Sequence, residues 1–404
     1  MPERFGLCRR GLGCAGEVRA VPPDYSQGNR RRAPAMDETP RESTGMYIIT
    51  NRQIVDDESG LDQFGKRVNP KGPNELRLAR VTKKGAGWSA EFLEDELPAA
   101  EARALIKEFS LPLDPKAQHY ASLKVACELT RQARKSKSHI LLFVHGFNND
   151  IRDVIERAND IAKRYKVIVL PFSWPANGGG ISGAASYKAD KRDARASGGA
   201  LERTLLIVRK YLHLITEAQR ARLFKQASDK HPNNAEARDS LYTALLEKDC
   251  PFTVNAMFHS MGNYLFKQMF KSSLSEGTGL TFDNVVLVAA DTNNEAHAEW
   301  VEKIQFRKRC FITINESDHA LAASRAKSGS QQRARLGHYL RNLSASNAHY
   351  VNFTGAPWVK TSHAYFGEPA DKNEKVRAFF KRAFSGEAAE EELRFHAEGN
   401  WFGP

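Results

Sequence analysis

A serine stands at a strand-to-helix junction in the middle of the chain. Residues 251–257 form an apolar, strand-like run, residues 263–271 have the pattern of a helix, and Ser260 lies between them in the sequence Phe-His-Ser-Met-Gly. A chain that leaves a buried strand, turns on one serine and enters a helix exposes that hydroxyl at the end of a sheet, near free N–H groups. The junction therefore predicts an α/β fold with Ser260 as nucleophile; the alternative is a serine that caps the helix.

A catalytic serine also requires a base, because a serine hydroxyl is a weak nucleophile by itself. The candidate base is His363, which follows the last strand-like run, at residues 349–353. His338 and His349 are the fallback candidates. We prefer His363 because it would lie in the loop after the last strand, where this kind of site places its histidine.

The third requirement is an acid that orients the histidine. The candidate is Asp318, which follows the strand-like residues 310–314. Asp291, one strand earlier, and Glu316 are the alternatives. Asp318 could instead cap the helix predicted over residues 320–327, and Asp291 would then be the acid.

A loop for binding an oxyanion is predicted at residues 144–148, Val-His-Gly-Phe-Asn, directly after the apolar strand-like run at residues 140–144. In α/β-hydrolases such a loop supplies one backbone N–H, and the residue after the nucleophile supplies another. We assign these donors to Phe147 and Met261. His145 and His259 adjoin core strands, and we expect them to make structural hydrogen bonds.

Five short motifs follow one another along the chain at strand ends, at residues 144–149, 172–175, 259–263, 318–321 and 363–366. Together they resemble the bacterial α/β-hydrolases that are catalogued as a domain of unknown function, over about residues 138–368. The resemblance implies that fold and serine-hydrolase chemistry, and it indicates no substrate. The order Ser260, Asp318, His363 is that of α/β-hydrolases and differs from the orders in chymotrypsin and subtilisin. One departure is Phe258, where such an elbow usually has a small residue.

The sheet is predicted to be mostly parallel, with helices on both faces. Residues 167–170 and 285–288 are continuously apolar, as strands buried on both faces are. Residues 76–81 alternate at period two, and residues 87–93 are expected to pair with them as antiparallel leading strands. We place the hydrolase domain at residues 46–384.

A helical insertion is predicted at residues 215–249, directly before the strand that leads to Ser260. It contains two helix-like segments, 217–229 and 235–248, and its six basic residues balance six acidic ones. Insertions at this point of the fold often cover the catalytic end. We therefore consider a cap, with inert surface decoration as the alternative.

The two ends of the chain differ from this domain in composition. Residues 1–45 are rich in Gly, Pro and Arg with little apolar periodicity, which predicts a disordered extension. Residues 385–404 are predicted to be a peripheral tail. No run approaches the length of about eighteen apolar residues that a membrane span needs.

Composition excludes several other classes of function. The formal charge is +12, yet the 60 basic residues are interleaved with 48 acidic ones, and no aromatic-plus-basic motif for nucleic acid occurs. The five cysteines lack metal-ligand spacing, and the glycine run at 178–180 lacks the residues of a phosphate-binding loop. We therefore expect no metal, no organic cofactor, no nucleic-acid partner, and a cytoplasmic location.

These observations predict a serine hydrolase that acts on an ester-like or acyl substrate through a covalent acyl-enzyme. Two alternatives stay open at this point. The chain could be an amidase or peptidase, because the preferred leaving group depends on the shape of the pocket. It could also be a non-catalytic binding or scaffold protein that has the fold.

Overall fold

The structure is a computed structural model and describes residues 45–176, 183–249, 252–271, 279–326 and 333–404. The predicted disordered segment at residues 1–45 lies outside these ranges except for its last residue, and so does the glycine run at 178–180. Within the described ranges, no helix has both the length and the apolar character that crossing a bilayer requires.

Strands and helices alternate through most of the described chain. The strands are β1 (Met46–Thr50), β2 (Arg52–Ile54), β3 (Phe64–Val68), β4 (Arg77–Lys84), β5 (Gly87–Phe92), β6 (Ile140–Val144), β7 (Ile168–Ser173), β8 (Val254–His259), β9 (Asn284–Val288), β10 (Arg309–Ile314), β11 (His349–Asn352), β12 (Arg394–His396) and β13 (Trp401–Gly403). The helices are α1 (Ala99–Phe109), α2 (Ala121–Ser136), α3 (Ile151–Tyr165), α4 (Gly183–Ala196), α5 (Gly198–Lys230), α6 (Ala235–Asp249), α7 (Met261–Met269), α8 (Ala298–Val301), α9 (His319–Ala326), α10 (Glu368–Lys372) and α11 (Glu374–Phe384).

One large sheet organises the fold, in the strand order β12-β13-β11-β10-β9-β8-β6-β7-β1-β4-β5. Neighbouring strands are parallel from β1 through β7, β6, β8, β9, β10 and β11 to β13, while β4 and β5 pair antiparallel at one edge and β12 at the other. β2 and β3 form a separate antiparallel pair. The prediction of a mostly parallel sheet with antiparallel leading strands is confirmed.

Helices cover both faces of the sheet because the central strands are apolar on both sides. Alternate residues of β6 show this: Leu142 belongs to the core beneath α2, α5 and α7. Leu141 and Phe143 belong to the core beneath α3 and α11. The carboxyl ends of the parallel strands therefore meet at one edge of a three-layered structure, where loops can bring side chains together.

The first helix predicted for the insertion belongs to a longer helix than the sequence pattern indicates. The first helix predicted for the insertion, at residues 217–229, is the second half of α5, which runs without a break from Gly198 to Lys230. No glycine or proline stands near residue 215 to end the preceding helix. The second predicted helix is observed as α6.

The end of α5 and α6 form a helical hairpin that is attached at its base. Gln219 Nε2 donates to the carbonyl oxygen of Asp249 at 3.0 Å, and its side-chain oxygen accepts from Arg134. Arg134 lies at the end of α2, just before β6 begins, and Asp249 lies just before β8 begins. The base of the hairpin is therefore at the opposite end of β8 from Ser260, and not beside it as a cap would be.

The C-terminal residues, expected as a peripheral tail, instead extend the sheet. β13 pairs with β11 in parallel through Val351 and Phe402, and β12 returns antiparallel to β13. Phe402 packs against the core beneath α3 and α11. Three-residue strands contain too few residues to give a periodic signal, so the pattern of this segment did not predict them.

Candidate active site

Ser260 occupies the sharp turn between β8 and α7. Its backbone has φ 55° and ψ −122°, a region that residues other than glycine rarely adopt. The turn is held by a hydrogen bond from Ser260 N to Val288 O at 3.0 Å and by one from Asp291 N to Ser260 O at 3.2 Å. Such a conformation costs on the order of 1–3 kcal/mol, so its presence at this serine points to a use of the turn.

The bulky Phe258 does not disturb this turn. Its side chain is fully buried and stacks on Phe266 of α7, with ring centroids 3.8 Å apart. The close crossing of strand and helix occurs instead at Gly262, where an added Cβ would lie 2.7 Å from the carbonyl oxygens of both Val144 and His145. The Phe258 side chain therefore packs on the sheet face that α7 covers, and the turn forms without the usual small residue at this position.

Asp318 and His363 form a hydrogen-bonded pair. His363 Nδ1 donates to Asp318 Oδ2 at 2.7 Å, and Asp318 is fully buried. The other carboxylate oxygen, Oδ1, accepts from the N–H groups of Ala320 at 2.9 Å and Leu321 at 3.1 Å. Asp318 therefore caps α9 and binds the histidine at once, so the two roles considered for it are compatible.

The loops that contain this pair are joined to each other. Asn315 Nδ2 donates to the carbonyl oxygens of Lys360 at 3.0 Å and Ser362 at 3.1 Å. His319 N donates to Thr361 O at 3.3 Å. These bonds connect the residues on either side of Asp318 with those before His363, which restricts the orientation of the imidazole.

The alternative acids have other partners. Asp291 forms a buried salt bridge with Arg335, with Nε and Oδ1 3.0 Å apart. It also accepts from Tyr187 OH at 2.9 Å and Ser324 Oγ at 2.7 Å. Glu316 is exposed and accepts from a backbone N–H at 3.0 Å. Neither carboxylate is bonded to a histidine in the described part of the chain.

The fallback histidines differ from His363 in their surroundings. His349 begins β11, and it therefore lies at the end of the parallel sheet opposite Ser260. His338 is half-buried, and this burial lowers its pKa below the ordinary value. Within the described ranges neither ring is hydrogen-bonded to a carboxylate, in contrast to His363.

The predicted oxyanion loop lies directly against Ser260. A Cβ added to Gly146 would be 2.7 Å from Ser260 Cβ and 3.2 Å from Ser260 Oγ, so this position has no room for a side chain. Phe147 follows Gly146, and Met261 is the first residue of α7. The N–H groups in the first turn of a helix have no intrahelical acceptor. Each predicted donor is therefore next to the serine turn: Phe147 follows Gly146, which contacts Ser260, and Met261 follows Ser260 itself.

His145 supports the oxyanion loop as a neutral side chain. Its Nδ1 donates to Gly146 O at 3.0 Å, its Nε2 accepts from Trp174 N at 3.2 Å, and its ring stacks on that of Trp174. Burial, reinforced by the nearby cation of Arg52, lowers the pKa of His145 to about 3. This contact joins the His-Gly motif of the oxyanion loop to the motif at residues 172–175, Phe-Ser-Trp-Pro.

His259 links the serine turn to His363. Its Nε2 lies 3.1 Å from the carbonyl oxygen of His363, to which it donates, and the two ring centroids are 4.7 Å apart. Burial and the neighbouring His363 hold the pKa of His259 well below its ordinary range. His259 is therefore neutral, and it adds no positive charge beside His363.

His259, next to Ser260 in the chain, contacts His363, but the described residues show no hydrogen bond between the serine and the histidine themselves. In the described part of the chain, Ser260 Oγ forms no hydrogen bond with the His363 ring, and His259 connects the two residues. Hydrogen bonds of this kind are often long in enzymes without substrate and shorten when substrate binds. The site thus contains a hydrogen-bonded pair of Asp318 and His363, and Ser260 is the neighbour in the chain of His259, which contacts that histidine.

Two residues at this site had no signal in the sequence. Arg52, in β2, is buried and donates to Asn149 O at 3.1 Å, and Asp190, in α4, accepts from Asn148 N at 3.1 Å. Asp190 therefore contacts the oxyanion loop, and Arg52 contacts the residue directly after it. A single basic or acidic residue far from the loop in sequence gives no indication of such a contact. Among the described residues, no group of three His, Cys, Asp or Glu side chains is arranged to hold a metal ion.

Comparison with known proteins shows that the chain matches the model of one protein family. The family model described as "Alpha/beta hydrolase of unknown function (DUF900)" matches residues 124–216 and 212–355. These ranges include Ser260, Asp318 and the oxyanion loop, and they end before His363. No curated protein and no solved structure matches the chain.

Proposed function

Because the chain belongs to the DUF900 family of α/β-hydrolases of unknown function, we propose that it is a serine hydrolase that cleaves an ester-like substrate. The nucleophile is Ser260, the base is His363 and the acid is Asp318. The observation that supports this proposal most strongly is the backbone of Ser260, whose positive φ is retained at a cost in free energy. Hydrolases use such a turn to present a serine hydroxyl above the sheet.

The reaction begins when Ser260 Oγ attacks the carbonyl carbon of the ester. His363 accepts the hydroxyl proton on Nε2, because its Nδ1–H is held by Asp318 at 2.7 Å. The new C–O bond leaves a negative charge on the former carbonyl oxygen. The N–H groups of Phe147 and Met261 bind that oxyanion, which lowers the barrier because the charge develops only in the transition state.

Collapse of the tetrahedral intermediate completes the first half of the reaction. The carbonyl forms again, the bond to the leaving alcohol breaks, and His363 gives its proton to the leaving oxygen. A water molecule then attacks the acyl-enzyme with His363 again as the base, and Ser260 is released with the acid product. Neutral His259 favours both steps, since a second imidazolium beside His363 would oppose its protonation.

The proposal is tested with p-nitrophenyl acetate and its anilide counterpart, which differ in the leaving group. We expect the native protein to release p-nitrophenol in a burst that is stoichiometric with protein, followed by slower turnover of the acyl-enzyme. His363→Ala should abolish the burst. His338→Ala is the matched control, because that histidine is not bonded to Asp318, and it should retain the burst.

Each outcome of this test separates the candidate functions. Cleavage of the anilide at a rate comparable to that of the ester would replace the esterase with an amidase or peptidase. A properly folded native protein that cleaves neither substrate, and does not react with activated esters of other acyl lengths, would favour the non-catalytic binding protein. A burst that survives His363→Ala would remove His363 from the role of base.

A further inference from the structure

Arg52 is a buried arginine that donates hydrogen bonds to three separate segments near the oxyanion loop. Its side chain is 1% exposed. Nε donates to Ser173 Oγ at 2.9 Å, and Nη1 donates to Gly65 O at 3.3 Å. Nη2 donates to Asn149 O at 3.1 Å and to Ala176 O at 3.3 Å. One guanidinium thus binds β3, the end of β7 with the residues that follow it, and the residue directly after the oxyanion loop.

These four acceptors are all uncharged. Within the described residues, no carboxylate lies within salt-bridge distance of Arg52, and Asp150 and Asp190 act on it from farther away. Burial lowers the pKa of Arg52 to about 10, a value at which the guanidinium is still protonated at neutral pH. A cation that is buried without a direct ion pair is costly, so its retention here indicates a role beyond filling space.

Asp190 holds the same loop from α4. It is fully buried, and its Oδ2 accepts from Asn148 N at 3.1 Å. Three residues earlier on the same helix, Tyr187 packs edge-on against the ring of Phe147, with centroids 5.5 Å apart. Arg52 therefore binds a carbonyl at residue 149 and Asp190 binds an N–H at residue 148, directly after the residue proposed to donate to the oxyanion.

Small movements of this loop would reach the reacting atoms. Gly146 packs against Ser260 with no space for a Cβ, and Asn148 adopts a positive φ of 57°. A loop in such a conformation keeps it because surrounding contacts hold it. The contacts of Asp190 and Arg52 are at residues 148 and 149, directly after Phe147, where they restrain the backbone that follows its N–H.

We propose that Arg52 is a positioning residue that, together with Asp190, holds residues 146–149 in the conformation that presents the Phe147 N–H to the oxyanion. This inference rests on the proposed function. Arg52 lies outside the residues that the family model matches, 124–216 and 212–355. The proposed role therefore belongs to a part of the chain that the family model does not cover. The antiparallel β2–β3 pair thus carries a residue that shapes the site.

The kinetic test compares Arg52→Gln, Arg52→Lys and Asp190→Ala with the native protein. The first and third variants should lower kcat by about 10- to 100-fold with KM little changed, because a misplaced oxyanion donor weakens binding of the transition state and not of the substrate. Arg52→Lys should lie between, since it keeps the charge and reaches fewer acceptors. Binding of a trifluoromethyl ketone, which forms a hemiketal oxyanion on serine, should weaken by the same factor as kcat/KM.

Arg67→Gln is the matched control, because Arg67 lies on β3 in an exposed position and its removal changes the charge equally. It should retain native kinetics. Asp190→Ala tests the same loop even if the Arg52 variants do not fold, because Asp190 lies in α4 and alanine is favourable in a helix. Folded Arg52 and Asp190 variants with kcat within about threefold of native would overturn the proposal, as would an equal loss in Arg67→Gln.

Hydrogen–deuterium exchange tests whether Arg52 and Asp190 hold residues 146–149 in place, and it does so without a measurement of turnover. Amides of residues 146–149 should exchange faster in Arg52→Gln and Asp190→Ala, while the α6 amides of the hairpin should be unchanged. Unchanged exchange at residues 146–149 would overturn the proposal even if kcat fell. If the native protein hydrolyses no ester, the proposed serine hydrolase fails, and the exchange result still decides whether Arg52 and Asp190 hold the loop.

Discussion

Replacement of Ser260 by alanine is expected to lower kcat/KM for an activated ester by about 10⁴- to 10⁶-fold, because removal of the proposed nucleophile abolishes covalent catalysis and leaves the contribution of binding and the proposed oxyanion donors. The variant should remain folded. Alanine keeps the Cβ at a position with φ 55°, so the backbone strain is the same in both proteins. The free energy of unfolding should therefore stay close to that of the native protein.

Steady-state kinetics together with denaturant unfolding measure this pair of quantities. Ser122→Ala is a suitable control, since Ser122 is a partly buried serine on α2 that is bonded to Tyr211 OH and far from the turn in sequence. It should have native kinetics. A folded Ser260→Ala variant that retained more than about a tenth of native turnover would show that another residue is the nucleophile.

The second large effect distinguishes the two buried carboxylates. Asp318→Asn is expected to lower kcat by on the order of 10⁴-fold, because an amide at this position favours the wrong tautomer of His363. The change should cost little stability, since the amide oxygen can still accept from the N–H groups of Ala320 and Leu321. Asp318→Asn is thus predicted to be a stable protein with a severe kinetic defect.

Asp291→Asn is expected to show the opposite pattern. Its carboxylate is the ion-pair partner of Arg335, and both side chains are buried. Removal of one member of a buried pair leaves an uncompensated charge and costs about 3–5 kcal/mol of folding free energy. At a temperature where this variant is folded, its turnover should be much closer to native than that of Asp318→Asn.

The two variants are compared by kcat and by the free energy of unfolding from the same preparations. The expected result is a crossed pattern, in which one variant loses activity and the other loses stability. If Asp291→Asn were stable and nearly inactive while Asp318→Asn turned over normally, the acid would belong to the strand before β10. The assignment of the triad would then have to be redrawn around Asp291.

The parts of the fold that depend on local patterns could be predicted from the sequence. β6 occupies the residues expected for it, and β9 and β10 agree with their apolar runs to within a few residues. Strands buried on both faces are continuously apolar, and this signal is strong over even five residues. Ser260, Asp318 and His363 could be selected as candidates for the same reason, since each of them follows a strand that the sequence indicates.

The parts that depend on distant contacts could not be predicted. Arg52 is separated from Asn149 by 97 residues and from Ala176 by 124, and no pattern near it indicates such partners. The pairing of β13 with β11 likewise depends on a contact between Val351 and Phe402. Long-range contacts of this kind are made by three-dimensional packing, so they become visible only in the folded structure.

The most direct test of Ser260 as the proposed nucleophile is the identity of the residue that a fluorophosphonate modifies. The probe reacts with a base-activated serine, so the native protein should carry one stoichiometric adduct, and peptide mass spectrometry should locate it on Ser260. Ser260→Ala should remain unmodified under the same conditions, and His363→Ala should react far more slowly. An adduct on a different residue, or undiminished labelling of folded Ser260→Ala, would contradict the assignment of Ser260 as the nucleophile.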